Sequence, residues 1–339
     1  MRVLLIKTSS MGDIIHTLPA LTDAGKAIQG IKFDWMVEET FAEIPAWHPL
    51  VDRVIPVELR RWRRKMFSPA TWSAFAALRK KLAHERYDVI LDAQGLVKSA
   101  FLGFFTRGER VGLDWPSARE ALASLVYQRK CKVNFYQHAI LRMRSLFSQA
   151  LGYVLPDSAP DFGVSRKLFQ VPHQTEPYLV FLHGTTWATK QWPMSYWIQL
   201  AERAKEAGLR VKISGGSRDE MERAEAIAKH CCIVDVIPRL SISAMAALLA
   251  NAKAVVAVDT GLGHLAAALN IPTISLYGPT NPEYTGALGN ASLHLAAAFP
   301  CAPCLSRTCK YKAPSAVTPA CFETISPLQV WGALESYLI

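Results

Sequence analysis

Val3-Leu4-Leu5-Ile6-Lys7-Thr8-Ser9-Ser10-Met11-Gly12-Asp13-Ile14-Ile15 is the stretch that decides the fold class of this 339-residue chain. Four consecutive apolar residues suit a short strand buried on both faces. Ile14, Leu18 and Leu21 then repeat at helical spacing. A strand that feeds a helix through a small polar turn opens a parallel α/β sheet. Gly12 permits close backbone approach, and free amides at the helix start favour an anion. Asp13 has two readings: a carboxylate able to take a proton from a bound alcohol, or part of a helix cap with Ser10.

The same alternation continues outward. Phe33–Val37, Val54–Val57 and Tyr87–Asp92 read as strands. Helices are expected over Trp72–Leu82, from Val97, from Ala118 and across Gln137–Leu151. Leu155–Asp161 carries two prolines among small polar residues and reads as a linker. Beyond it, strands are expected at Tyr178–Leu182, Arg210–Ile213, Ala254–Val258 and Thr273–Leu276. Helices are expected at Pro193–Ala207, Arg218–Ala228, Ile242–Leu249 and Pro327–Leu338. No sequence repeat links the halves. Two α/β domains are expected, 1–160 and 161–339, facing across a cleft, with the last helix free to pack back on the first.

Composition narrows the class. Half the residues are hydrophobic and 19% are charged, which suits a globular chain. The net charge is +10, and it is uneven. Residues 1–165 hold 23 basic and 16 acidic groups (+7), and the rest hold 15 and 12 (+3). An anionic partner follows: phosphate, nucleic acid or an acidic membrane face. No apolar run is long enough to span a bilayer, and charged residues interrupt any secretory leader. Seven cysteines, an odd number, do not make a disulfide scaffold, so a cytoplasmic setting is expected. The dinucleotide and P-loop glycine fingerprints are absent.

Three further segments carry chemistry. Val256–Val258 leads into Asp259-Thr260-Gly261-Leu262-Gly263-His264, a phosphate cradle in which Asp259 either caps the helix or orients His264. His183-Gly184-Thr185-Thr186-Trp187-Ala188-Thr189-Lys190 offers two hydroxyls and a cation. Two such loops in one domain fit a diphosphate. Arg60-Arg61-Trp62-Arg63-Arg64-Lys65 surrounds one aromatic with five cations, which cannot all point inward from one short segment. This run suits nucleic acid or anionic sugars at a membrane. Cys301, Cys304, Cys309 and Cys321 match no standard zinc spacing, and packing or surface thiols are the expectation.

Taken together these residues carry a resemblance. Lys7–Pro19, Asp259–Ala268 and Tyr277-Gly278-Pro279-Thr280 resemble the lipopolysaccharide heptosyltransferases. Asp92–Ala100, Arg60–Arg63 and Arg119–Leu125 resemble the type I members, which add the first heptose of the inner core. The resemblance implies two Rossmann-like domains of the GT-B type, an acceptor domain followed by a nucleotide-sugar domain. It implies inverting, metal-independent transfer of L-glycero-D-manno-heptose from its β-linked ADP donor to the 3-deoxy-octulosonic acid of the lipid A precursor. No cofactor is implied. Asp13 is the implied base, and Lys190 the cation on the departing ADP. Thr185, Thr186, Asp259, Thr260, Gly261, Leu262 and His264 are implied at the donor. Glu220, with Glu222 close by, is implied at the ribose. Arg60, Arg61, Arg63, Lys98, Arg119 and Arg142 are implied at the acceptor. The expected protein is a monomer, peripheral on the cytoplasmic face of the inner membrane. Competing readings are a family member acting on a later core acceptor, or a basic nucleic-acid-binding protein.

Overall fold

The computed structural model describes residues 1–65, 67–171 and 176–338. Its contacts separate two units, Met1–Val164 and Ser165–Ile339. The first holds β1 (Arg2–Ile6), β2 (Lys32–Glu38), β3 (Val51–Val57), β4 (Arg86–Asp92), β5 (Arg107–Leu113) and β6 (Arg129–Cys131). All pair parallel, in the order β3-β2-β1-β4-β5-β6. The second holds β7 (Tyr178–Leu182), β8 (Arg210–Ser214), β9 (Val234–Ile237), β10 (Ala254–Val258), β11 (Thr273–Tyr277) and β12 (Ser292–Ala296). Their order is β12-β11-β10-β7-β8-β9, again parallel. Counted from its own first strand, each sheet runs 3-2-1-4-5-6, the doubly wound nucleotide-binding order. The halves repeat in structure although they do not repeat in sequence.

The central strands β7, β10 and β11 are buried along their whole length, and Val3–Ile6 of β1 is too, as apolar runs covered on both faces should be. β5 escapes the apolar pattern because its first half carries Arg107, Glu109 and Arg110 at a partly exposed position. Its Gly112 is needed for space, since a Cβ there would collide with the Tyr127 ring. The helix expected from Ala118 is a 3-10 segment, Ala121–Val126. The first helical stretch breaks into Met11–Ile15 and Leu18–Ala27, with Pro19 in the first turn of the second.

The last helix, Pro327–Leu338, buries Val330, Trp331 and Leu334 in the core that also contains Trp192, Trp197 and Leu200. Its apolar face is therefore buried within the core of the second unit. The proline-rich segment before the boundary is also tied down. Arg144, buried on the helix Ala139–Leu151, donates to Asp23 at 2.6 Å and to the carbonyls of Ser158 at 2.8 Å and Pro156 at 3.2 Å.

This buried pair yields a stability prediction. Removing one partner strands the other charge without water, at a cost of about 3–5 kcal/mol. Arg144→Met should lower the unfolding free energy by that order in urea titration. The double variant Asp23→Leu/Arg144→Met should recover part of the loss. An unchanged single variant would show that the pair holds nothing together.

Candidate functional site

Parallel pairing sends the carboxyl end of every strand to the same edge of its sheet, and the polar loops sit there. In the first unit β1 ends at Ile6, followed by buried Lys7 and Thr8. The turn is held from β4: the Gln94 side-chain oxygen accepts from the amides of Thr8 at 3.0 Å and Ser9 at 3.1 Å. Asp13 is the third residue of the helix Met11–Ile15. Its Oδ2 accepts from the Ser10 amide at 2.9 Å and the Ser10 hydroxyl at 2.8 Å. The cap reading of Asp13 is therefore real, and it leaves Oδ1 outside these two bonds. Burial opposes ionisation, but Lys7, the Ser10 bonds and Arg119 outweigh it and hold the Asp13 carboxyl below its ordinary value of 3.8. Asp13 is thus a carboxylate at neutral pH. Its folding contribution is present above 3.8 and is lost as pH falls through the lower folded value.

Lys7 donates to the Ala93 carbonyl at 3.0 Å. Burial, with Arg142 and Arg119 adding to it, lowers its pKa against the pull of Asp13 and Asp92. Arg142 is half-buried, its guanidinium 4.9 Å from the Phe135 ring centroid and its Nε without a hydrogen-bond partner. Burial lowers its pKa; Asp13 opposes this and Arg119 adds to it. Asp13, Lys7, Arg119 and Arg142 therefore share one local field. Lys98 is exposed on the helix Val97–Leu102, beside which Glu120 accepts from the Val97 amide at 2.8 Å. Asp92 accepts from Tyr127 at 2.7 Å, Ser99 at 2.8 Å and the Gln94 amide at 2.8 Å, while burial still raises its pKa.

The arginine run forms the helix Leu59–Arg64. Arg60, Arg61, Arg64 and Lys65 line a cavity of about 530 Å³ with Glu38, Glu39 and Glu58. Arg61 is already paired with Glu58 at 2.9 Å, and the Arg60 guanidinium lies over Phe41. Arg63 is exposed and outside that lining, as expected of five cations on one short helix.

In the second unit Asp259 is the hub. Its Oδ2 receives the Lys190 ammonium at 2.7 Å and the Thr280 hydroxyl at 2.7 Å, and its carbonyl accepts from Thr185 at 3.4 Å. His264 Nε2 stands 3.9 Å from Oδ1, beyond hydrogen-bond length. Asp259 thus anchors Lys190 rather than capping the next helix. Thr260 occupies the cap position before Gly261–Ala268. Gly263 faces β10, where a Cβ would stand 3.0 Å from Ala257, so its role is packing. The Trp187 ring centroid is 4.5 Å from Lys190 Nζ and 5.1 Å from the Arg307 guanidinium carbon. Thr186 is exposed; Gly261 and Leu262 are half-exposed at the helix start.

Glu220 lies beside the His183-Gly184 turn: a Cβ on Gly184 would be 2.7 Å from its carboxylate. Its Oε2 accepts from the amides of Gly216 at 2.7 Å and Ser217 at 3.2 Å. Glu222 instead pairs with Arg218 at 2.8 Å on an exposed face. His183 is buried, and burial together with Arg223 pushes its pKa down to about 4. Sequence reading gave no role to Lys7, Gln94, Tyr127, Thr280 and Arg307, although Lys7, Gln94 and Thr280 lie within the stretches that carry the resemblance. A lysine directly after an apolar strand was the one local signal.

Cys301, Cys304, Cys309 and Cys321 line one cavity of about 340 Å³. Among the described residues no three metal-ligating side chains are gathered at an ion-binding distance. Burial, with the neighbouring cysteines adding to it, pushes the Cys321 thiol up to about 11. No helix among the described residues is long and apolar enough to cross a membrane.

Two doubly wound units are an architecture that nucleotide-sugar transferases use, and the chain belongs to glycosyltransferase family 9, the heptosyltransferases, which it matches over residues 75–314. It is 52% identical to lipopolysaccharide heptosyltransferase 1 of Pseudomonas aeruginosa, across 100% of this chain and 98% of that protein. It also resembles the structure of E. coli heptosyltransferase WaaC with ADP, at a TM-score of 0.88 and 43% identity, covering 99% of this chain and 100% of that one. The same enzyme with ADP-2-deoxy-2-fluoro heptose gives a TM-score of 0.84 at 43% identity, covering 99% of each chain.

The thiols supply a check on this geometry. Cys232, Cys301, Cys304 and Cys309 are exposed, while Cys131, Cys231 and Cys321 are buried. A thiol reagent at neutral pH should modify the first group rapidly and the second only on unfolding. Rapid reaction of Cys321 would contradict its placement.

Proposed function

We propose that this protein transfers L-glycero-D-manno-heptose from its β-linked ADP donor to the 3-deoxy-octulosonic acid of the lipid A precursor, the first heptose of the inner core. The observation that carries the reading is the Lys190–Asp259 pair at 2.7 Å, set between two polar loops that each follow a buried strand. It is supported by close similarity to enzymes of that name.

In this reading the second unit binds the donor. Thr185 and Thr186 hydroxyls and the amides of Thr260, Gly261 and Leu262 take the diphosphate oxygens. His264 backs that loop. Glu220, rather than the surface-paired Glu222, takes the ribose hydroxyls. Lys190 offsets the charge that grows on ADP as it leaves. The first unit binds the acceptor, with Arg119, Arg142, Lys98 and the Arg60–Arg61–Arg63 helix facing its carboxylates and phosphates. Asp13 takes the acceptor hydroxyl proton. That oxygen bonds to the anomeric carbon, the carbon–oxygen bond to phosphate breaks, and its electron pair leaves with ADP. Direct displacement inverts the β donor to an α product. The cations Lys190 and Arg307 serve where a metal would otherwise sit, so initial rates should persist in excess EDTA. Loss restored only by magnesium would end the metal-free reading. The protein meets its lipid substrate as a peripheral visitor to the cytoplasmic face of the inner membrane.

Purified enzyme with ADP-heptose should glycosylate the heptose-free acceptor. Transfer only to an already heptosylated core would assign it a later step. Asp13→Asn keeps the shape and the cap but removes basicity, so kcat should fall about 10²- to 10⁴-fold with donor affinity and fold preserved and a somewhat lower melting temperature, because the favourable field of Lys7 and Arg119 on the carboxylate is lost. Near-native kcat in that variant would leave Asp13 as a cap alone.

A further inference from the structure

The helix Pro69–Ala83 does not look like a helix facing water. From Ser68 to Leu78 it carries no charged residue, yet Trp72, Ser73, Ala76 and Ala77 are exposed. A solvated helix places its charges on that face. Trp72 is 60% exposed, and Phe67 just before the helix is 91% exposed. The apolar surface continues onto the helix Val97–Leu102 and the 3-10 turn Gly103–Phe105 after it, where Phe101 and Phe104 are 52% and 51% exposed. Ring contacts join it: Trp72 to Phe75 at 6.1 Å, Phe75 to Phe101 at 6.4 Å, and Phe101 to Phe104 at 6.3 Å.

Cations border this surface at both ends. Residues 59–84 hold Arg60, Arg61, Arg63, Arg64, Lys65, Arg79, Lys80 and Lys81 and no acidic residue. Arg110 lies over the Phe104 ring at 4.6 Å. Protruding aromatics bordered by lysine and arginine match the two layers of a membrane surface, an apolar interior under anionic headgroups.

We propose that the surface of Phe67, Trp72, Phe101 and Phe104, with the cations of residues 60–65 and 79–81, docks on an anionic lipid bilayer and inserts its rings among the headgroups. This deepens the reading that the acceptor is a membrane lipid, and it adds an apolar component to electrostatic attraction alone. The charge complementarity is what commits the surface to this occupant. An RNA partner would use the same cations and stack its bases on the same rings, and it is therefore the competing outcome of the test.

The test is flotation of the full chain with vesicles of phosphatidylglycerol in phosphatidylcholine, and with phosphatidylcholine alone, at low and high salt. Wild type should bind the anionic vesicles and retain a bound fraction at high salt. Phe67→Ser/Trp72→Ser, two exposed positions with little folding role, should weaken binding on the order of tenfold. Lys80→Gln/Lys81→Gln should weaken it about thirtyfold at low salt. Val154→Ser, which removes an exposed residue (90%) elsewhere, should change nothing. Heptose transfer to a water-soluble, deacylated acceptor should be the same in all four. Equal binding to neutral and anionic vesicles, or no effect of either double variant, overturns the docking surface. So does salt-sensitive binding to single-stranded RNA that vesicles do not displace. Absent transfer to every acceptor, with vesicle binding intact, would refute the heptosyltransferase reading and leave the docking surface standing.

Discussion

Parallel pairing is the constraint on which the rest depends. It brings the ends of β1, β4, β7 and β10 to one edge of their sheets, and each is followed at once by a polar group with a task. Lys7 follows β1, the Gln94 turn follows β4, His183 and Gly184 follow β7, and Asp259 follows β10. The apolar strands buy this placement by burying almost everything else. A charged residue in that position cannot sink into the sheet. It must meet water, a ligand or a partner, and here most meet partners: Lys7 the Ala93 carbonyl, and Asp259 both Lys190 and Thr280.

Within that frame the two units solve different electrostatic problems. The first keeps a carboxylate ionised beside cations. Asp13 is bound by Ser10 and sits in the field of Lys7 and Arg119, which overcome the cost of burial. The second keeps a cation aimed. The Lys190 ammonium is held by a carboxylate and lies over Trp187, and few rotamers remain to be lost in the proposed diphosphate complex. Preorganisation of both groups before substrate binds is the physical core of the proposed transfer.

Much of this was legible because the decisive signals are local. An apolar run, a glycine or threonine, and a helical period mark each phosphate-fitted loop within a dozen residues. The helices Arg218–Ala228 and Pro327–Leu338 have the expected ends because Ser217 caps the first and Pro327 starts the second. What was not legible is pairing across long stretches of chain. Gln94 holds Thr8 and Ser9 from 86 and 85 residues away. Asp259 can be seen to anchor Lys190, and not cap its own helix, only once β7 and β10 lie side by side. Glu220 and Glu222 differ by two positions in sequence, but on the helix one turns to Gly184 and the other to Arg218. The strand β5 and the edge strand β12 lacked an apolar run because they are half-exposed.

The central claim is that a protein cation, not a metal, receives the diphosphate. Calorimetric titration of ADP in excess EDTA tests it most directly, on wild type and on Lys190→Met. The account predicts saturable binding by wild type without divalent ions and a loss of about 10- to 100-fold in the variant, the worth of a charge-assisted hydrogen bond. Equal affinity in the two proteins, or wild-type binding that appears only when magnesium is added, would contradict it.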